Sequence, residues 1–123
     1  MTTLPAKLGV KPDSRVLVTG PPAGFALDCP HDTAPDGPPY DVLLLFCPEL
    51  ADLDAGWAES VARLATAGGL WVAWPKRASG VPTDLTDDVV RRYALDHGLV
   101  DVRVCAVDAT WSALKMVRRR ADR

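Results

Sequence analysis

The chain of 123 residues carries 14 basic and 16 acidic side chains, a net charge of −2, and is 48% hydrophobic and 24% charged. That balance is ordinary for a soluble globular protein: it excludes a disordered or collagen-like class and gives no global attraction to nucleic acid or an anionic membrane. The length suits a single α/β domain over residues 1–123, able to bury roughly two-thirds of the surface its unfolded chain exposes. Cys29, Cys47 and Cys105 are odd in number and lack CxxC spacing, so neither a disulfide framework nor a zinc site is indicated, and a reducing cytoplasm is the expected setting. The first residues, Met1 to Lys7, lack the apolar core of a signal peptide, and no apolar run approaches the roughly 18 residues of a membrane helix.

Arg15-Val16-Leu17-Val18-Thr19 is a short β-branched run closed by Gly20-Pro21-Pro22, which predicts a strand that stops abruptly. Six prolines between Pro21 and Tyr40 forbid a long helix there, so that stretch reads as a loop with at most a brief strand or helical turn. Asp41 to Phe46 is apolar at every position after its first, the pattern of a central strand covered on both faces. Pro48 suits a first helical turn, and Leu50, Leu53, Trp57, Val61 and Leu64 then recur at three- and four-residue spacing on one face, with Gly68-Gly69 as the stop.

Leu70 to Trp74 reads as another buried strand, ended by Pro75, and is followed by a loop. Thr86 is a good N-cap, with Asp87 and Asp88 in the first turn of the next helix and Leu85 placed to staple onto Val90. Val89, Val90, Tyr93 and Ala94 supply that helix's buried face, and Gly98 ends it. Val100, Val102, Val104 and Ala106 then alternate with Asp101, Arg103 and Cys105, which predicts a strand with one wetter face. Asp108-Ala109-Thr110 is a hairpin turn, and Trp111 to Val117 returns antiparallel.

The order strand, loop, strand, helix, strand, helix, strand, strand resembles, over about Asp41 to Val117, the second half of a class I methyltransferase fold. The resemblance implies a three-layer Rossmann-like domain, truncated, with a mostly parallel sheet of about five strands ending in an antiparallel hairpin. Such enzymes hold their cofactor with an acidic residue and a Gly-x-Gly-type turn after the first strand and another acid after the second. Thr19-Gly20-Pro21-Pro22-Ala23-Gly24 departs from that pattern, so no cofactor is expected. At finer grain, Leu70-Trp71-Val72-Ala73-Trp74-Pro75-Lys76-Arg77-Ala78-Ser79-Gly80, Thr83-Asp84-Leu85-Thr86, and Val104 through Lys115 resemble a small bacterial family catalogued as a domain of unknown function. That likeness supports the fold and brings no activity with it.

The candidate ligand-binding residues gather after the strand ending at Pro75. Lys76 and Arg77 follow a strand's C-terminal end, where α/β folds usually keep their ligands, and the Ser79 hydroxyl and backbone donors near Gly80 could join them around an anion; the alternative is solvated loop cations. Thr83, Asp84 and Thr86 could touch a ligand at the following helix, or simply cap it. Trp74 and Trp111, with Trp71, could stack on a flat ring or pack in the core. Cys29-Pro30-His31 and His97 invite a nucleophile or metal reading, but no histidine stands near another and no thiol has an evident base, so no metal is expected. Glu49 and Asp108 are possible acid and base groups, Lys115 is a possible exposed charge, and Arg118-Arg119-Arg120 with Arg123 could meet phosphate or solvate an edge strand.

Two functions follow as expectations. The first is a non-catalytic methyltransferase-like module that binds a partner or small anionic ligand along the strand ends. The second is a small enzyme acting on a nucleotide-like or other anionic metabolite, with Lys76 as electrostatic stabiliser and Asp84 or Asp108 as proton carrier. The first strand should also leave an exposed sheet edge through which a homodimer or partner could pair.

Overall fold

The apolar and β-branched runs form five strands, which the computed structural model, describing residues 3–123, joins in one open sheet. The strands are β1 (Val16–Thr19), β2 (Tyr40–Phe46), β3 (Leu64–Pro75), β4 (Leu99–Ala106) and β5 (Trp111–Arg118), and the helices are α1 (Leu4–Lys7), α2 (Leu50–Arg63) and α3 (Asp87–Asp96). Met1 and Thr2, with which the stretch read as lacking a leader begins, lie outside the described residues. No helix among the described residues is long and apolar enough to cross a membrane.

The sheet order is β1-β2-β3-β5-β4. β1 with β2 and β2 with β3 are parallel, whereas β3 with β5 and β5 with β4 are antiparallel. A mostly parallel sheet is therefore corrected to an evenly mixed one, because β5 does not stay on the outside of its hairpin but inserts between β3 and β4.

Period-two alternation divides the buried residues between two faces. Leu43 and Leu45 of β2, Leu70 and Val72 of β3, and Leu114 and Met116 of β5 lie under the helices with Leu53, Trp57, Val90 and Ala94. Val42, Leu44, Phe46, Trp71, Ala73 and Ala113 point the other way. β2 is thus covered on both sides, as its unbroken apolar run predicts. α2 lies against β2 and β3, and α3 against β4 and β5. The opposite face is covered more thinly, by Leu4 and Leu8 of the α1 segment and by Phe25, Leu27 and Cys29 of the proline-rich loop. Phe46 anchors this layer, meeting Phe25 and Trp111 edge to face at centroid distances of 4.8 and 5.1 Å.

Three local expectations are overturned. α2 stops at Arg63, and Leu64, spaced to continue its apolar face, pairs with Tyr40 as the start of β3. Gly68-Gly69 is consequently inside β3 and ends no helix: a Cβ on Gly68 would sit 2.9 Å from the Asp41 carbonyl oxygen and 3.0 Å from that of Tyr40. The α2 terminus is closed instead by Arg118, whose guanidinium donates to the Val61 and Leu64 carbonyls at 2.9 and 3.0 Å.

In β4, Asp101 pairs with Met116 and Arg103 with Lys115, leaving Val102 as an extra residue in a bulge. The bulge breaks the simple alternation and sends Asp101 to the helix side, where its carboxylate accepts from Arg91 Nε at 2.9 Å. It also leaves Val102 and Val104 54% and 52% exposed on an edge strand.

The edge of β1 is not open, which removes the expected route to a dimer through it. Backbone groups of Asp32 close it, with Val18 N–H donating to the Asp32 carbonyl at 2.9 Å and Asp32 N–H donating to that of Val16 at 2.8 Å. Tyr40 holds the segment in place: its hydroxyl donates to the Asp32 carboxylate at 2.6 Å and accepts from Asp36 N–H at 2.9 Å. The Arg15 guanidinium stacks 4.6 Å from the Tyr40 ring centroid and donates to the Asp36, Pro38 and Pro39 carbonyls.

Candidate functional site

Pro75 ends β3 for want of a ladder donor, and the chain turns out over the sheet's end. Lys76 N–H donates to the Thr110 carbonyl at 2.8 Å, tying the loop to the β4–β5 turn. A short 3₁₀ turn, Arg77–Ser79, follows and ends at Gly80, whose φ of 78° favours glycine. The segment then returns to α3, where the Thr86 hydroxyl accepts from Val89 N–H at 3.2 Å as the sequence predicts.

This path encloses a groove of about 720 Å³. Trp74 and Leu85 form its deeper apolar part, Val81, Pro82 and Val104 its flanks, and Lys76, Arg77, Gly80, Thr83, Thr86, Asp87, Asp88 and Ser112 its polar boundary. Of the eight proposed ligand-binding residues the groove brings together Trp74, Lys76, Arg77, Gly80 and Thr83.

The other three are engaged elsewhere. The Ser79 hydroxyl donates to the Lys76 carbonyl at 2.6 Å and accepts from Val81 N–H at 3.2 Å, so it is spent on shaping the loop. Asp84 accepts the Leu50 N–H at 2.8 Å and satisfies a free donor in the first turn of α2, a different helix from the one it precedes in sequence. Beside it, the Thr83 hydroxyl donates to the Pro48 carbonyl at 2.6 Å. Trp111 is on the opposite face of the sheet from Trp74, packed on Phe46, so the two indoles cannot share a ligand. Trp71, also on that opposite face, donates through its indole N–H to the Leu8 carbonyl at 3.1 Å and is wholly buried.

The pairing of Asp84 with α2 carries a prediction. Asp84→Ala should lower stability by about 1 kcal/mol, the usual cost of losing a helix N-terminal acceptor. Chemical denaturation measures it, and an unchanged midpoint would show that the loop is not clasped to α2.

The groove's charges are mixed. The Lys76 ammonium donates to the Asp108 carbonyl at 2.8 Å and is half committed to the hairpin. Arg77 is exposed, and its guanidinium has no hydrogen-bond or ion-pair partner among the described residues. Asp108 is not poised as an acid or base: its carboxylate accepts the Thr110 and Trp111 N–H groups, both at 2.8 Å, and builds the turn.

The thiols and imidazoles do not converge. Burial, helped by Asp52, pushes the Cys47 thiol up to about 12, so it is protonated at neutral pH and carries no nucleophile. Cys29 and Cys105 are also raised, chiefly by burial. The His31 ring meets the Cys29 carbonyl, through Nδ1 at 2.8 Å. His97 stacks on Tyr93 at 3.9 Å, and its Nδ1 lies 2.7 Å from the Tyr93 carbonyl at the end of α3. No cluster of three or more His, Cys, Asp or Glu side chains suited to a metal occurs among the described residues.

The basic C-terminal run proves structural for three of its four arginines. Arg118 caps α2, Arg119 donates to the Leu95 carbonyl at 3.0 Å at the end of α3, and Arg123 donates to the Arg118 carbonyl at 2.9 Å.

Val104 and Ser112 are groove residues that chain order does not reveal, since they reach it only because β5 lies between β3 and β4. The one legible signal was the turn-rich segment 76–86 after a buried strand. No protein-family model matches this chain, and no curated protein matches its sequence.

Proposed function

We propose that this chain is a non-catalytic, methyltransferase-like module that binds a small anionic ligand with an apolar body at the C-terminal end of β3. The observation that carries the reading is the groove itself, in which a buried indole, three aliphatic flanks and an unpaired guanidinium meet at the end of a sheet strand. Trp74, Val81, Pro82 and Val104 would take the ligand's apolar part, and Arg77 its charge, with Lys76 contributing its remaining donors. The element order from β2 through β5, with its closing antiparallel pair, supports the methyltransferase-like description.

Binding is favoured over catalysis because both candidate proton carriers are already used as acceptors of backbone N–H groups, Asp84 at α2 and Asp108 in its own turn. A thermal-shift panel of S-adenosylmethionine, its demethylated product, nucleotides, dinucleotides and simple phosphates tests the proposal. A groove ligand at about 100 times its dissociation constant should stabilise the fold by about 2.7 kcal/mol, a midpoint shift of several degrees. Arg77→Gln should abolish that shift while leaving the unliganded midpoint in place. A silent panel, or a shift that survives Arg77→Gln, would refute the assignment.

A further inference from the structure

A second cavity lies away from the groove, beside the start of β2 and against the α1 segment. It measures about 300 Å³, and Lys115 of β5 reaches into it. Strand alternation puts Lys115 on the face that also carries Ala113 and Trp71. Charged side chains at such positions normally pair with an acid or escape to solvent. Lys115 does neither: it is half-buried, and its ammonium has no hydrogen-bond or ion-pair partner among the described residues.

The surroundings are built around this side chain. Its stem crosses Gly69 so closely that a Cβ there would stand 2.5 Å from Lys115 Cε. Its Nζ lies 3.8 Å from where a Cβ on Gly9 would sit, and Gly9 itself has a φ of 80°, a conformation that favours glycine. Directly across the β4–β5 ladder stands Arg103, so two cations oppose each other where like charges destabilise a sheet. Burial first, and Arg103 second, hold the Lys115 ammonium below the usual lysine range.

The rim adds donors. Lys11 lines the cavity, as does Ser14, whose Oγ accepts the Lys11 N–H at 2.9 Å and leaves its own hydroxyl hydrogen to donate. Two carboxylates also border it, Asp13 and Asp41, but both are exposed, Asp41 accepts the Arg15 N–H at 2.8 Å, and neither pairs with Lys115.

We propose that this cavity is a binding site for a small phosphate-type oxyanion, held by the Lys115 ammonium with Lys11 and the Ser14 hydroxyl. A bound anion would supply the missing counter-charge for Lys115 and relieve its repulsion from Arg103. The site is separate from the Arg77 groove and does not depend on the function assigned to that groove.

The test compares the melting midpoint of the full chain in inorganic phosphate and in sodium chloride at matched ionic strength. Phosphate should stabilise the wild type by several degrees more than chloride does. Lys115→Met keeps the stem over Gly69 but should erase that difference, and Arg103→Gln should raise the midpoint without phosphate while shrinking the phosphate increment. Arg77→Gln should leave the increment intact, which separates this site from the groove. Equal effects of the two salts, or an increment that persists in Lys115→Met, would overturn the proposal.

Discussion

Trp71→Ala should lower stability by about 3–5 kcal/mol, a large share of the roughly 5–15 kcal/mol that holds a domain of this size together. Trp71 is fully buried in β3, between β2 and β5, among Val42, Leu44, Ala73 and Ala113. Its removal opens a cavity in a face that lacks a long helix to collapse into it. The indole N–H also donates to the Leu8 carbonyl, and this bond ties the α1 segment to the sheet. Trp71→Phe separates the two effects: it keeps most of the ring volume but leaves the Leu8 carbonyl without its donor, a loss of about 1–3 kcal/mol. Denaturant midpoints measure both costs, and hydrogen exchange in residues 4–10 reports whether α1 detaches in the phenylalanine variant. A near-wild-type midpoint for Trp71→Ala would contradict the packing described for this face.

The second large effect has the opposite cause. Gly68→Ala should cost about 1–3 kcal/mol, toward the upper end, through overpacking. The added methyl would meet the Asp41 and Tyr40 carbonyl oxygens at 2.9 and 3.0 Å and Leu64 Cδ1 at 3.0 Å. Two of these three are backbone atoms of β2, and β2 lies between β1 and β3 and has little freedom to move. Gly69→Ala is the informative control. Its contact is with the far part of the Lys115 side chain, which can swing away, so it should cost less than Gly68→Ala. If the two variants melted together, the close approach of β3 to β2 would not be the reason for the glycine pair.

Much of the fold was legible locally. The apolar run of β2 required cover on both faces, and the spacing of Leu53 and Trp57 gave α2 its buried side. Thr86 followed by two aspartates marked the start of α3 to the residue. These features rest on neighbours in sequence, and their physics is short-range. The α2 terminus was misread for the same reason: Leu64 continues the helical period, and only its pairing with Tyr40 converts it to strand. The alternation of β4 failed because one extra residue, Val102, shifts every later side chain to the other face, and nothing in the alternation announces a bulge.

The candidate site divides along the same line. Residues 74–83 were legible as a site because a buried strand, a proline and a turn-rich loop carrying two cations follow one another in the chain. The roles of Asp84, Asp108 and Arg118 were not, because their partners are the Leu50 N–H, the hairpin's own N–H groups and the Val61 and Leu64 carbonyls. A carboxylate or guanidinium has the same composition whether it meets a ligand or a helix end.

By itself, then, the sequence determined the α/β class, the existence of each strand and of the two longer helices, and the loop that borders the groove, since periodicity and capping act over a few residues. Tertiary structure alone decided the insertion of β5 between β3 and β4, the closure of the β1 edge by Asp32, the separation of Trp74 from Trp111 by the thickness of the sheet, and the placement of Lys115 opposite Arg103. Each of these depends on which distant segments pair, and that choice is made by the burial of whole faces, a property no single stretch of chain possesses.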